Sequence, residues 1–220
     1  MKIPLDYGKY YHIYNRGNNY ENIFLVKEDY LHFLTIFDAF ISPIAETFAW
    51  CLMKNHFHFL IRIKPIDEIG FLNSANSHAP LPEIKWKTYF PDKPDTQFAK
   101  KPIPYRQFEH LFNAYTRWFN IRHDRCGSLF EKNCERKLVD KQHYFSNLIV
   151  YLHNNPVKHG FVEQAIEYPW SSYLTIKSDK PTKLKREDAM GYFKNLENYE
   201  FQHTISNKEN EKDIQDWIIE

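Results

Sequence analysis

Two histidines one residue apart, His56 and His58, lie in the apolar stretch KNHFHFLIRI, residues 54–63. Alternate side chains of a β-strand point to the same face, so the two imidazoles could share one cation while Phe57 and Phe59 pack on the opposite face. A catalytic metal also needs a third ligand and open coordination positions. The alternative is a pair of hydrogen-bonded histidines on a half-exposed sheet, and the spacing alone favours that alternative.

A third ligand must come from another part of the chain, because the sequence holds no H-E-x-x-H motif, acidic cluster or CxxC pair. The segment YLHNNPVKHG places Tyr151 and Asn155 four residues apart, on one face of a helix. The amide oxygen of Asn155 could bind a cation while the phenol of Tyr151 points at a substrate held by the same ion. Tyr151 could equally be a core aromatic on a stripe with Leu148 and Leu152.

The elements that would position these residues follow from hydrophobic periodicity and turn residues. We predict strands at 10–15, 44–53, 56–63 and 127–140, and helices at 27–41, 105–125 and from about 140 to Pro156, where the proline ends the helix. This order predicts an α+β fold, a ferredoxin-like β-α-β-β-α-β antiparallel sheet with helices on one face, plus an extra helix that carries Tyr151.

The domain organisation is read from proline content and charge. Residues 64–104 hold seven of the twelve prolines and no sustained periodicity, which predicts a long insertion in a domain of residues 1–175. Residues 176–220 read as a polar, acidic C-terminal extension that ends in a helix at 211–220.

Composition narrows the class of protein. With 17% aromatic and 26% charged residues in 220, and no apolar run long enough for a membrane span or signal peptide, we expect a globular cytoplasmic protein. The three cysteines suggest free thiols. Residues 100–141 hold ten Lys and Arg against five Asp and Glu, a local charge of +5 that suits a polyanion, whereas residues 186–220 carry four against nine.

Five stretches of the chain resemble, in the same order, the IS200-like, REP-associated tyrosine transposases, which are single-strand DNA nucleases of the HUH type. The stretches are YHIYNRGNNYENIF (11–24), AWCLMKNHFHFLI (49–61), GSLFEKNCERKLV (127–139), YLHNNPVKHGFV (151–162) and YPWSSY (168–173). The chain departs from the usual pattern at Lys54, where proline is common, and in the EKNCER segment.

The resemblance implies roles for particular residues. His56 and His58 match the family's metal-binding histidines, Tyr151 matches its nucleophile, and Asn155 matches a metal ligand of related transposases. Arg16 matches a family arginine that we interpret as a phosphate or base contact. Basic strand residues are better DNA contacts than the apolar helix stripe. The full set of expected DNA contacts is Arg16, Asn55, Arg125, Lys132, Arg136, Lys137 and Lys158.

The implied activity is metal-dependent cleavage and strand transfer of single-stranded DNA near a hairpin, through a 5′-phosphotyrosine intermediate. The expected cofactor is Mg²⁺ or Mn²⁺, with tighter binding of Mn²⁺ to the imidazole and amide ligands. Since ligation needs neutral imidazoles, we expect activity to fall below about pH 6. A monomer is favoured, with a dimer left open.

Two other functions are considered. A domesticated protein of the same fold could bind DNA without cleaving it, although it would need neither Tyr151 nor the two histidines. A two-histidine phosphoesterase would need two H-x-[ST] motifs, but His58 occupies the Ser/Thr position of the first, and the only remnant of a second is His203-Thr204 in the polar tail.

Overall fold

The computed structural model describes residues 4–72, 87–92, 99–132, 134–140 and 143–204. The strands are β1 (Tyr10–Arg16), β2 (Ala45–Leu52), β3 (His56–Ile63), β4 (Phe71–Leu72), β5 (Thr88–Tyr89) and β6 (Glu135–Leu138). The helices are α1 (Lys27–Ile41), α2 (Pro104–Arg122), α3 (His143–Lys158), α4 (Tyr173–Lys177), α5 (Arg186–Gly191) and α6 (Leu196–Thr204).

The main sheet has four strands in the order β2-β3-β1-β6, and all neighbours are antiparallel. Together with α1 and α2 in the β-α-β-β-α-β order, this is the ferredoxin-like arrangement. The predicted fold class is therefore confirmed. Both central strands, β1 and β3, contribute residues to the candidate site.

Different helices cover the two faces of the sheet. α1 and α2 pack on one face, where Phe57 and Phe59 join an aromatic first core. α3 and the helices after it cover the other face, where Leu60 joins a second core. The alternation predicted for β3 is present, because His56 and His58 point away from the first core, toward α3.

The turn between β2 and β3 is fixed by the loop that follows β1. The carbonyl of Asn55 accepts a hydrogen bond from the Gly17 amide at 2.8 Å, and the carbonyl of Lys54 accepts from the amides of Ile23 and Phe24 at 2.8 and 3.0 Å. A Cβ at Gly17 would lie 2.1 Å from the carbonyl oxygen of Glu21, so only glycine fits there. The start of β3 is therefore held by a rigid backbone contact.

The strand predicted at 127–140 is much shorter in the structure. Among the described residues, Glu135–Leu138 pairs with β1 as a strand, and Gly17 and Phe130 form an isolated bridge. The carbonyl of Ser128 accepts from the Arg125 guanidinium at 3.0 Å and from the side-chain amide of Asn18 at 3.1 Å. Backbone bonds from the Asn18 amide to the Leu129 carbonyl at 3.0 Å and from the Glu131 amide to the Arg16 carbonyl at 2.9 Å also tie this segment to the end of β1, while Leu129 and Phe130 enter the first core.

The helix that carries Tyr151 does not end at Pro156, as the sequence predicted, but continues to Lys158. The amide of His159 still bonds to the Asn155 carbonyl at 3.0 Å. Gly160 then adopts a φ of 70°, the left-handed conformation that commonly terminates helices. A proline in the last turn removes one donor without preventing the following turn.

The predicted insertion at about 64–104 is described only in part. β4 and β5 pair as a separate two-stranded sheet, and Ile69 is buried in the first core. Pro104 opens α2, a position where proline is well tolerated. The helix predicted at 211–220 lies outside the described residues. No helix in the described part of the chain has the length and apolar character needed to cross a membrane.

Residues 176–204 pack against α3 and its core. Ala189, Phe193 and Tyr199 are fully buried in the second core. The buried ring of His153 bonds through Nδ1 to His203 Nε2 at 2.9 Å and through Nε2 to the Ser172 hydroxyl at 2.8 Å. A domain boundary at 175 stays a prediction, but residues up to 204 share one core with the helix that carries Tyr151.

Candidate active site

The His56 and His58 rings lie on the α3 face of the sheet, with their centroids 5.1 Å apart. Nδ1 of His56 is 2.7 Å from the Asn55 side-chain oxygen. Nδ1 of His58 is 2.9 Å from Nε2 of His12. Nε2 of His58 is buried and has no hydrogen-bond partner among the described residues. A buried imidazole nitrogen left unsatisfied is costly unless a ligand takes it.

Tyr151 projects from α3 onto the same site. Its ring stands edge-on to His58, with centroids 5.8 Å apart and an angle of 77° between the planes. The Tyr151 side chain is 7% exposed and also belongs to the second core. Tyr151 is therefore a core aromatic, as one interpretation of the sequence predicted, and its phenol also lies beside the histidine pair, as the other required.

The residues available for a third ligand are an amide and a further imidazole. Asn155 is buried and donates through Nδ2 to the Tyr151 carbonyl at 2.9 Å, so its oxygen is the atom that would ligate a cation. The His159 ring lies 5.5 Å from that of His56. No group of three His, Cys, Asp or Glu side chains in the described ranges is placed to hold a metal. The site thus fits a cation with two imidazoles only if oxygen ligands complete it.

Burial keeps the histidine pair neutral. It lowers the pKa of His56 to about 4, with smaller contributions from His159 and Arg16. Burial also holds the pKa of His58 well below its ordinary value, and the neighbouring imidazoles add to the effect. Neutral imidazole is the form that ligates metals. The two imidazoles therefore stay neutral below pH 6, a lower limit than the ordinary pKa of histidine predicts.

A second phenol, Tyr14, lies opposite His58 in the β1–β3 register, with the ring centroids 6.1 Å apart. Burial raises the pKa of Tyr14 to about 12, and the carboxylate of Glu135 adds to the shift. Such a phenol stays protonated near neutral pH and is a poor nucleophile. Protonation does not by itself separate the two tyrosines, because an ordinary phenol is also protonated at neutral pH, and the match of Tyr151 to the family's nucleophile is what favours it.

Four of the expected DNA contacts lie on the face of the histidines or beside it. Arg16 is opposite His56 in register and forms an ion pair with Glu131 at 2.7 Å. Asn55 bonds to His56, as described. Lys137 pairs with His12 in the β1–β6 register and reaches the Tyr14 ring. Lys158 lies at the exposed end of α3, next to His159.

The other three expected contacts lie elsewhere. Arg125 braces the loop after α2 through the Asn120 side chain, the Ser128 carbonyl and the Glu21 carboxylate. Arg136 is opposite Ile13, a first-core residue, so it points to the face covered by α1 and α2. Lys132 and Arg136 line a groove of ≈ 450 Å³ between α2 and β6. These three residues are not brought to the histidine pair.

Two residues at the site are not apparent from the sequence. His12 lies in a predicted β-strand, and its contact with His58 depends on a pairing of β1 with β3 that spacing does not reveal. Tyr20 is 65% exposed, and its ring lies 4.5 Å below the Arg16 guanidinium. Tyr20 has a φ of 60°, which costs a residue with a side chain on the order of 1 kcal/mol. In the sequence, the Gly-Asn-Asn turn before Tyr20 is the feature that could have drawn attention to this residue.

Comparison with solved structures finds a protein with the same fold as this chain. It aligns with a REP-associated tyrosine transposase bound to a REP hairpin with a TM-score of 0.52 and 13% identity, over 82% of this chain and 87% of the other. The fold is therefore shared. A bacterial tRNA(His) guanylyltransferase-like protein in complex with ATP scores only 0.40 at 9% identity, covering 90% of this chain and 74% of the other.

Comparison with curated proteins points in the same direction. The chain is 27% identical over 129 residues to a putative REP-associated tyrosine transposase of Haemophilus influenzae, and the match spans 58% of each chain. No family model matches the sequence. In sequence and in fold the chain is similar to the REP-associated tyrosine transposases, which confirms the resemblance carried by the five motifs.

Proposed function

We propose that this protein is a tyrosine transposase of the REP-associated type, a metal-dependent endonuclease and strand-transferase that acts on single-stranded DNA next to a hairpin. The observation that carries the proposal is the meeting of Tyr151 with His58, whose Nε2 is buried without a hydrogen-bond partner in the described part of the chain. A protein that only bound DNA would need no such phenol beside two neutral imidazoles. The name of the curated relative and the REP hairpin bound to the structural relative support the choice of substrate.

Each residue of the site has a separate part in the chemistry. The phenolic oxygen of Tyr151 attacks the scissile phosphorus in line and loses its proton to solvent, while the bond from phosphorus to the 3′-oxygen breaks and that oxygen takes up a proton. The products are a 5′-phosphotyrosine and a free 3′-hydroxyl. His56, His58 and Asn155 would hold a divalent cation that neutralises charge on the phosphate. The covalent bond preserves the energy needed for rejoining.

Basic and aromatic residues at the edge of the site suit an unpaired strand. Arg16 and Lys137 are cations on the α3 face of the sheet, and Tyr20 offers an exposed ring beside Arg16. Cations bind the phosphates, whereas exposed rings stack on bases without requiring a particular sequence. The DNA path proposed here therefore follows the ends of β1 and α3.

The experiment that tests the function is a search for a covalent adduct. Wild-type protein is incubated with a labelled hairpin that has a single-stranded flank, with Mn²⁺, Mg²⁺ or EDTA, and resolved on a denaturing gel. We expect an adduct with either metal and none with EDTA, and mass spectrometry should place the modified peptide at Tyr151. Hairpin binding without an adduct under every condition would instead support the domesticated DNA-binding alternative.

A separate prediction concerns Tyr20. The Tyr20→Ala variant should bind single-stranded flanking DNA about 5- to 100-fold more weakly, because stacking on one base contributes roughly 1–3 kcal/mol. Tyr20→Phe keeps the ring and should bind as wild type does. Fluorescence anisotropy with labelled hairpins, with and without the flank, measures both.

The control for Tyr20 is Phe201→Ala, since Phe201 is 59% exposed on α6, outside the proposed path. It should leave affinity unchanged. If Tyr20→Ala loses no affinity for the flanked hairpin, or loses as much for the hairpin without a flank, the ring does not stack on the unpaired strand.

A further inference from the structure

A third imidazole, that of His12, lies next to the candidate metal ligand His58 on the side away from the cation site. His12 and His58 are fully buried, and their rings stack with centroids 5.1 Å apart and 21° between the planes. Nε2 of His12 lies 2.9 Å from Nδ1 of His58, a normal hydrogen-bond distance. His12 is opposite Leu60 in the β1–β3 register, so it reaches His58 diagonally across the two central strands.

The hydrogen bond constrains which nitrogen of His58 can serve a cation. A neutral imidazole carries one proton, and the nitrogen that ligates a metal must be the one without it. Nδ1 of His58 is occupied by His12, and Nε2 is the buried atom without a partner among the residues described. A cation on Nε2 therefore requires the proton on Nδ1, and that N–H needs an acceptor in a site closed to water. Nε2 of His12 is at the right distance to accept it.

We propose that His12 is a positioning residue for the cation site. Its Nε2 accepts the Nδ1–H of His58, which fixes the orientation of the His58 ring and leaves the lone pair of Nε2 directed at the cation. This inference rests on the proposed function, because it presupposes a cation at His58. Such outer contacts to a ligating histidine typically change metal affinity by about 10- to 100-fold when removed.

The His12→Leu variant removes the acceptor, whereas His12→Gln replaces it with an amide oxygen that can still accept. Mn²⁺ binding is measured by electron paramagnetic resonance of the free ion, without DNA. We expect the Kd for Mn²⁺ to rise about 10- to 100-fold in His12→Leu and to return close to the wild-type value in His12→Gln. An equal loss in both variants would reduce His12 to a packing residue and overturn the proposal.

The matched control is His203→Leu. His203 forms the same kind of buried imidazole pair, with His153 at 2.9 Å, but in the contact between α3 and α6. His203→Leu should lose stability without changing the Kd for Mn²⁺. If it weakens Mn²⁺ binding as much as His12→Leu does, the effect is a general consequence of a damaged core and the proposal fails.

A measurement on the wild-type protein covers the case in which His12→Leu does not fold. Nitrogen-15 spectra with saturating Mg²⁺, which is diamagnetic, should show the His58 proton on Nδ1. A proton on Nε2 overturns the role of His12 directly. Wild-type protein that binds neither metal would overturn this inference and the cation of the proposed function together. Wild-type affinity in folded His12→Leu would overturn the inference alone and leave adduct formation at Tyr151 as a separate result.

Discussion

The Tyr151→Phe variant should lose covalent adduct formation by about a thousandfold or more, to below the detection limit of a denaturing gel. The substitution removes only the phenolic oxygen, and the ring can keep its packing in the second core and against His58. Affinity for hairpin DNA should therefore stay close to that of the wild type. Adduct yield and anisotropy, measured on the same preparation, separate the chemical step from binding.

The control for Tyr151 is Tyr144→Phe, which removes the same atom two helical turns earlier on α3, where Tyr144 packs against the second core. This variant should form the adduct normally. Tyr14→Phe is the informative third variant, because the Tyr14 ring also approaches His58. An adduct that survives in Tyr151→Phe but disappears in Tyr14→Phe would transfer the nucleophile to β1 and contradict the mechanism proposed here.

The second large effect is a loss of stability in acid. Burial lowers the pKa of His12 to about 3 and the pKa values of His56 and His203 to about 4, from 6.5 in the unfolded chain. Between those values the unfolded chain binds more protons, so stability is complete above pH 6.5 and falls as the pH drops toward 4. Each histidine costs about 1.4 kcal/mol per pH unit, and the three together about 6 kcal/mol by pH 5.

A loss of that size is comparable to the whole stability of an ordinary domain, about 5–15 kcal/mol. We therefore expect the protein to unfold near pH 5, before the buried ligand His56 is protonated in the folded state. Urea unfolding followed by circular dichroism between pH 7.5 and 5 measures this slope. The acid limit of DNA cleavage should coincide with unfolding.

Two variants test the origin of the acid effect. His203→Gln removes one buried imidazole away from the cation site and should reduce the slope by about 1.4 kcal/mol per pH unit. Phe201→Ala changes an exposed residue without a titrating group and should leave the slope unchanged. Equal slopes in the wild type and His203→Gln would mean that buried histidines do not control acid stability.

Much of the fold can be predicted from the sequence because the apolar residues of most elements recur at regular helix or strand spacing. The apolar residues of α1 recur at helical spacing, and its predicted bounds of 27–41 match the structure. The predicted strand at 56–63 also matches β3. The segment 127–140 alternates too, but among the described residues its strand is limited to Glu135–Leu138, and its first half is held by an isolated bridge and two backbone bonds at the end of β1. Local alternation does not report such contacts.

The candidate site is readable only where one element sets the geometry. The shared face of His56 and His58 follows from a period of two within one strand. The same rule separates Arg136 from Lys137, which are adjacent in β6 and point to opposite faces. The contact of His12 with His58 depends on the register of β1 against β3, and the place of Tyr151 depends on which face of the sheet α3 covers. Neither is set by local spacing.

The alternation of β3 has a consequence for how this protein can vary. A shift of one residue in the pairing of β3 would turn both imidazoles into the aromatic first core and expose Phe57 and Phe59 to α3. Such a chain would lose both folding free energy and the candidate site. A mutation that shifts this register would therefore be opposed by the lost burial of the two phenylalanines as well as by the loss of the candidate site.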